Sequence, residues 1–165
     1  MNIVQFLIEK GSDLNASIDY YCYTSIHIAT KVGSPDIVAL LVQNGASVDP
    51  PKVQEVLLME WALNFKNAEV IETLLKADAN INSRNDDGGM PIHIAASLGY
   101  LDCVKLIKNY GADINARGPR SWRPIHYAVY IESIEMVQYL LQNGAEVNPK
   151  DDNGVIPIHL LLSIK

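Results

Sequence analysis

Four histidines and one glutamate follow one another along this 165-residue chain at a constant spacing of 33 residues. They are His27, Glu60, His93, His126 and His159. A globular enzyme gathers distant residues by folding and has no need of a fixed interval, whereas stacked repeats place one such residue in every unit. The spacing therefore predicts a repeat protein, and it places these side chains one per layer rather than around one metal ion.

The residues around these positions keep the same register. Before or around the histidines stand the phrases TSIHIA (24–29), MPIHIA (90–95), RPIHYA (123–128) and IPIHL (156–160). A second phrase begins 15 residues ahead of the last four positions, at Gly45, Asp78, Gly111 and Gly144, and reads GASVD, DANIN, GADIN and GAEVN. Its first copy begins at Gly11 and lies one residue further from His27, which indicates a single insertion in the first loop.

These two phrases resemble the ankyrin repeat, whose signature is Thr-Pro-Leu-His-x-Ala followed by a glycine-ended helix and a Gly-Ala-Asp-Val-Asn turn. The resemblance covers nearly the whole chain. It implies an all-α fold, an ankyrin-repeat solenoid of stacked helix-turn-helix units with protruding hairpin-like loops. The expected division is a partial repeat at 1–18 (second helix and turn only), full repeats at 19–51, 52–84, 85–117 and 118–150, and a partial repeat at 151–165 (loop and first helix only). The unit 52–84 departs most, since its LLMEWA phrase lacks Thr, Pro and His and its loop at 52–56 has a run that favours helix.

Residues within each unit also predict two packed helices. Pro91, Pro124 and Pro157 suit the first turn of a helix, where a missing N–H costs nothing. Apolar residues then recur at i, i+1 and i+4, which predicts one buried helical stripe in each unit: Ile37, Val38 and Leu41; Val70, Ile71 and Leu74; Cys103, Val104 and Ile107; Met136, Val137 and Leu140. An alanine column, Ala29, Ala62, Ala95 and Ala128, would let the first helices approach closely.

Composition excludes several classes of function. A net charge of −6 argues against a nucleic-acid binder that relies on phosphate neutralisation. Two cysteines make no disulfide framework, and no apolar run approaches the roughly 20 residues that span a bilayer. No phosphate loop, nucleophile motif or metal-ligand spacing is present, so we expect no catalytic site, no cofactor and no metal. The absence of a signal-peptide pattern favours an intracellular protein of the cytoplasm or nucleus, or a secreted one if the chain belongs to a toxin.

In the family that this chain resembles, partners are bound by loop tips and by the exposed face of the first helices. Carried over position by position, the resemblance implies that the partner is another protein, bound by the residues Tyr20, Tyr21, Tyr23, Phe65, Arg117, Arg120, Trp122, Arg123 and Tyr130. Tyr, Trp and Arg dominate binding hot spots because they bury large areas with few rotamers. The alternative is that Trp122 and the tyrosines only cover the stacked loops, and Asp86 and Asp87 are expected to be solvated turn residues.

The resemblance also implies candidate modification sites. Asparagines that end the second phrase are hydroxylated in some proteins of this type, and Asn15, Asn82, Asn115 and Asn148 match that position, whereas Asp49 does not. Their ordinary role is to bond the backbone of the turn.

Apolar residues near both ends suggest burial against something else. Ile3, Phe6 and Leu7 begin the chain, and Leu161, Leu162 and Ile164 end it, where a free-standing array needs polar faces. We expect a monomer or part of a longer repeat array, either a piece of a longer ankyrin chain or a short protein whose ends dock on a partner. Two functions remain open: an intracellular adaptor, scaffold or inhibitor, including host-directed effectors, or the ankyrin part of a larger secreted or membrane protein such as a latrotoxin-like toxin or a channel.

Overall fold

The computed structural model describes residues 3–18, 22–50 and 57–162. Regular secondary structure in these ranges is helical, with no strand, and this confirms the all-α prediction. The α-helices are α1 Ile3–Glu9, α2 Ser25–Val32, α3 Pro35–Gln43, α4 Leu58–Asn64, α5 Ala68–Lys76, α6 Pro91–Ser97, α7 Leu101–Asn109, α8 Pro124–Tyr130, α9 Ile134–Gln142 and α10 Pro157–Leu162. The loop 52–56, for which the sequence favours helix, lies outside the described residues.

The chain divides into two compact units, Met1–Asn80 and Ile81–Lys165. In the first unit α2 packs on α3 and α4 on α5, and the two pairs stack through α2 on α4 and α3 on α5. In the second unit α6 packs on α7 and α8 on α9, while α8 contacts both α6 and α10. Each unit is therefore built of stacked helix-turn-helix pairs, as the resemblance implies.

The core of each unit follows the predicted apolar positions. Within the i, i+1, i+4 stripes, all but Ile37 and Val137 are buried. The alanine column is also buried, with at most 5% of any member exposed. Small side chains at these positions let neighbouring first helices pack closely, because a larger one would have no space.

Turns and helix ends obey local backbone chemistry. Gly33 ends α2 in the left-handed conformation at φ 76°, and its N–H bonds to the last carbonyls of the helix. Asp78 adopts the same conformation at φ 60°, as expected of a residue that replaces glycine there. The loop tips are closed like hairpins by single backbone bonds, such as Asn85 N–H to Gly89 O at 3.0 Å and Gly118 N–H to Trp122 O at 2.8 Å. No helix among the described residues is long and apolar enough to cross a membrane.

Candidate functional site

Two of the repeated histidines, His93 and His126, hydrogen-bond a first helix to the loop after its helix pair. Nδ1 of His93 accepts the backbone N–H of Met90 at 3.1 Å, and Nε2 bonds to the carbonyl of Ala116 at 2.9 Å. A ring that accepts at Nδ1 and faces a carbonyl at Nε2 is neutral, with its proton on Nε2. His126 repeats the arrangement with Arg123 N–H at 3.0 Å and the Val155 carbonyl at 3.4 Å.

Burial keeps these rings uncharged. It lowers the pKa of His27 to about 4, and it also lowers the pKa values of His93 and His126. In the described part of the chain, no cluster of three or more His, Cys, Asp or Glu side chains could hold a metal ion. His93 and His126 therefore act as structural hydrogen-bonding residues between helix and loop, and His27 shares with them the bond at Nδ1, which accepts the backbone N–H of Thr24 at 3.2 Å.

An aromatic cluster surrounds Trp122 in the loop tip that the Gly118–Trp122 backbone bond closes. Its indole ring stacks on His126 with centroids 5.7 Å apart and an angle of 19°, and it meets Tyr127 edge-on at 5.1 Å. Tyr130 lies against it at 5.8 Å. The indole Nε1 donates to Oδ2 of Asp151 at 3.2 Å. Trp122 is thus held from several sides and is half-buried, so it contributes to the fold of the loops as well as to their surface.

Beside this cluster lies the loop-tip groove, a cavity of about 540 Å³ lined by Asp87, Pro119, Arg120, Trp122 and Tyr127. Burial raises the pKa of the Tyr127 phenol, the negative charge of Asp87 raises it further, and the positive charge of Arg120 opposes them. Charges of both signs therefore face the same aromatic groove. Neither Asp87 nor Arg120 forms an ion pair within the described ranges.

The backbone at the groove is strained. Arg120 and Ser121 are consecutive non-glycine residues in the left-handed region, at φ 54° and 59°. The following loop holds them there, because the N–H of Asp152 bonds to the Arg120 carbonyl at 3.1 Å and the Ser121 hydroxyl donates to the Asp152 carboxylate. Such residues cost roughly 1–3 kcal/mol each and cluster at functional sites. The result is an Arg120 side chain presented at the exposed rim of the groove.

The other predicted partner-binding residues divide into exposed and enclosed ones. Tyr130 and Phe65 are 54% and 47% exposed, and Arg117 is also exposed. The Arg123 side chain is only 11% exposed and pairs with Glu146 at 2.6 Å, while Tyr23 is half-buried against the Trp61 ring at 5.1 Å. Tyr20 and Tyr21 lie outside the described residues.

Three groove residues were not among the predicted binding residues. Tyr127 follows His126 directly and occupies the slot that holds Ile28 and Ile94 in other units, so an aromatic side chain there was an available signal. Asp87, expected to be a solvated turn residue, is exposed but also lines the groove. For Pro119 the sequence gave no indication of a role in binding beyond its position at the loop tip.

The candidate hydroxylation sites have structural contacts. The amide of Asn115 donates to the Gly144 carbonyl and accepts the Glu146 N–H, both at 2.9 Å. Asn15 repeats this with Gly45 at 3.1 Å and Ser47 at 2.8 Å. Both side chains thus bond the next turn along, as their ordinary role requires. Asn82 and Asn148 are exposed, and modification of any of the four stays a prediction.

Family models match most of the chain. One for ankyrin repeats in three copies covers residues 58–151, and one for ankyrin repeats in many copies covers residues 1–42. The chain belongs to the ankyrin repeat family. Ankyrin repeats are generally non-catalytic modules of protein–protein interaction, and this agrees with the helix pairs and loop tips described above.

Individual relatives come from several kinds of organism. An ankyrin repeat protein of fowlpox virus is 37% identical over 84 residues, covering 51% of this chain and 12% of the viral protein. Alpha-latrocrustotoxin-Lt1a of Latrodectus tredecimguttatus is 29% identical over 118 residues, which are 67% of this chain and 8% of the toxin. A protein of Saccharomyces cerevisiae named as a 26S proteasome regulatory subunit is 32% identical over 115 residues, which are 66% of this chain and 50% of that protein. The matched part of the chain thus spans no more than half the length of these relatives.

Proposed function

We propose that this ankyrin repeat chain is a non-catalytic module that binds a partner protein at the loop-tip groove. The observation that carries the proposal is the groove itself, which the rings of Trp122 and Tyr127 line together with Asp87 and Arg120. Neither of these two charged side chains forms an ion pair with another described residue. Aromatic and arginine side chains are enriched at interface hot spots, and a polar rim around them gives specificity.

The exposed neighbours of the groove extend the binding surface. Tyr130 packs against Trp122 through one side of its ring and keeps 54% of its surface exposed. Arg117 is exposed in the loop before the groove, and its carbonyl accepts a bond from Arg84 at 3.0 Å. A partner bound at the groove would therefore meet Arg120 and Tyr130 first, and Trp122 would act as the fixed floor between them.

The division into four full and two partial repeats is supported by the helix pairs α2–α3, α4–α5, α6–α7 and α8–α9.

The biological role that we favour is that of an adaptor, scaffold or inhibitor, including a host-directed effector, and the similarity to a fowlpox virus protein supports it. The alternative is the ankyrin part of a larger secreted or membrane protein, which the similarity to alpha-latrocrustotoxin-Lt1a supports.

The test compares two double variants in affinity capture from a nuclease-treated eukaryotic lysate. Arg120→Ala with Tyr130→Ala removes the exposed rim of the groove and leaves Trp122 and its bond to Asp151 in place. Lys108→Ala with Tyr110→Ala is the matched control, since it removes a cation and an exposed tyrosine from the end of α7. We expect a protein that wild type and control retain and the groove variant loses, with unchanged circular dichroism in all three.

Two results would contradict the proposal. One is a partner that the folded groove variant retains as well as wild type does. The other is a partner that is lost equally from the α7 control, because binding would then lie away from the groove.

A further inference from the structure

All four arginines of the chain belong to two neighbouring loops of the second unit. They are Arg84, Arg117, Arg120 and Arg123, whereas the nine lysines are spread along the whole sequence. The chain as a whole carries a net charge of −6, so a concentration of cations in one place runs against its average charge. Such a patch produces a local positive potential that attracts anionic groups.

Three of these arginines have no acidic partner. The Arg123 side chain is only 11% exposed and pairs with Glu146. Arg84, Arg117 and Arg120 are exposed, and none of them forms an ion pair with a described residue. We call these three residues the arginine cluster. An anion that binds among them would relieve the repulsion between like charges.

Arg84 is fixed in place with one edge of its guanidinium group unused. Its Nη1 donates to the carbonyl of Gly88 at 2.6 Å and to the carbonyl of Arg117 at 3.0 Å, so it bridges the two loops that border the loop-tip groove. The N–H groups of Nε and Nη2 donate to no described residue. These two atoms share one edge of the planar group, and their parallel N–H bonds match the two oxygens of a carboxylate.

Arg120 places a second cation beside an apolar surface. The bond from the Asp152 N–H to the Arg120 carbonyl holds its backbone in the left-handed region, and its side chain is exposed at the rim of the groove. The rings of Trp122 and Tyr127 line the same groove. The site therefore combines donors for an anion with an aromatic surface for a neighbouring apolar side chain.

Asp87 limits how much negative charge the site can accept. It lines the groove together with Arg120 and forms no ion pair with a described residue. A phosphorylated side chain carries nearly two negative charges and a nucleic acid carries one per nucleotide, so Asp87 and the net charge of −6 disfavour both. A single carboxylate pairs with the arginines at the smallest cost in repulsion.

We propose that the arginine cluster binds an acidic segment of a partner protein. One Asp or Glu carboxylate of the segment accepts the paired N–H groups of Arg84, and an adjacent apolar or aromatic side chain enters the loop-tip groove. Arginine suits this role better than lysine because its rigid fork holds both carboxylate oxygens. The inference rests on the proposed function, since it names the chemistry of the segment that the groove binds.

The test begins with a phage-displayed library of random linear peptides, selected on the purified 165-residue chain. We expect enriched peptides to carry Asp or Glu beside an aromatic or aliphatic residue. In calorimetric titration of one such synthetic peptide, replacing its acidic residue by the corresponding amide should weaken binding roughly 10- to 100-fold. Arg84→Lys should weaken it similarly, because lysine keeps the charge and loses the fork. Both changes together should cost little more than either alone, as expected of two groups in direct contact.

Two further variants separate binding from folding. Arg84 also bridges two loops, so its variant is checked by circular dichroism and is paired with Arg117→Gln, which leaves the Arg117 carbonyl in place for Arg84. Arg117→Gln should weaken the acidic peptide more than its amide form. Lys105→Gln removes an exposed cation from α7, outside the loops, and should leave the affinity for the peptide unchanged.

The outcomes distinguish this inference from the proposed function. Neutral or basic enriched peptides that Arg120→Ala with Tyr130→Ala fails to bind would overturn the acidic segment and leave the groove as the binding site. Peptides that bind this double variant as tightly as wild type would count against both. Selection without any enriched peptide would overturn the acidic segment, as would tighter binding of the peptide's phosphoserine form or of a single-stranded DNA oligonucleotide.

Discussion

The indole Nε1 of Trp122 donates to Oδ2 of Asp151 at 3.2 Å, and this bond joins two successive loop tips of the second unit. The other oxygen of the same carboxylate accepts the backbone N–H groups of Asn153 and Val155, both at 2.8 Å. Desolvation raises the pKa of Asp151, but the bonds from Val155, Asn153 and Trp122 outweigh it, so the pKa lies below its ordinary value. One charged carboxylate thus organises its own loop and fixes the floor of the groove.

Replacing this carboxylate should loosen both loops. We expect Asp151→Asn to lower the free energy of unfolding by about 1.5–3 kcal/mol, the typical range for hydrogen bonds to a charged group. The amide cannot accept at both ends, so either Trp122 or the Val155 turn loses its partner. Urea unfolding measures the change. Asp152→Asn is the control, since Asp152 is exposed and its side chain accepts from Ser121; an equal loss in both variants would contradict this role for Asp151.

Gly118 is required by the ring of His93. A β-carbon built at Gly118 would stand 2.9 Å from both Cδ2 and Nε2 of that ring, and His93 is only 1% exposed and has no room to move. Gly118→Ala should therefore destabilise the chain by about 1–3 kcal/mol through overpacking. It should also weaken the bond from His93 to the Ala116 carbonyl, because the ring must shift.

Imidazole NMR signals separate this effect from general backbone strain. Gly45→Ala places a methyl group in open space at a left-handed φ of 95°, so it adds strain without touching a histidine. We expect the His93 resonances to shift in Gly118→Ala and to stay in place in Gly45→Ala. Unshifted His93 resonances in Gly118→Ala would show that the ring does not meet the new methyl group.

The fold could be predicted from the sequence because each structural position occurs in several repeats, and an unclear signal in one repeat is supported by the others. Each buried stripe, the alanine column and the left-handed turn at Asp78 recur at a fixed register, so several units support each assignment. The loop tips are different, since each occurs once and its contacts depend on the next loop. The sequence around Arg123 does not show whether this side chain is exposed for binding or, as in the structure, pairs with Glu146 at 2.6 Å.

The groove was predicted only in part for the same reason. Arg120 and Trp122 have the composition of a hot spot, and they do line the groove. Asp87 and Tyr127 reach it from another loop and from the first turns of α8, and that convergence is set by how two repeats stack. The left-handed backbone at Arg120 and Ser121 could not be predicted either, because neither residue is glycine and bonds to Asp152 hold this conformation.

Stability should fall on mild acidification because of the buried histidines. Nδ1 of His27, His93 and His126 each accepts a backbone N–H, and a protonated ring would turn that acceptor into a second donor. The pKa of His27 is lowered to about 4, and the other two are also lowered by burial. A histidine in the unfolded chain has a pKa near 6.5. Below that pH the unfolded state therefore binds protons that the folded state does not bind.

The contribution of these histidines is fully present well above about pH 6.5 and is lost as the pH falls below that value, by up to about 1.4 kcal/mol per pH unit for each ring. For His27 the loss continues down to its folded pKa of about 4. Urea unfolding between about pH 7.5 and about pH 5.5 measures the slope. His93→Gln should make it shallower, because an amide does not titrate. A free energy of unfolding that is flat across this range in wild type would refute the assignment.

Asn115 bonds the next turn with both ends of its amide, and this double contact makes the position sensitive to the smallest chemical change. Asn115→Asp keeps an acceptor for the Glu146 N–H and loses the donor to the Gly144 carbonyl, whereas Asn115→Ala loses both. We expect Ala to cost about 1–3 kcal/mol and Asp to cost less, since each net hydrogen bond contributes about 0.5–1.5 kcal/mol. Asp49 supports the ranking, because it holds this place in another repeat and accepts the Asn80 N–H at 3.2 Å. Thermal unfolding of the two variants measures the order, and equal stability of Asn115→Ala and wild type would show that these bonds contribute nothing.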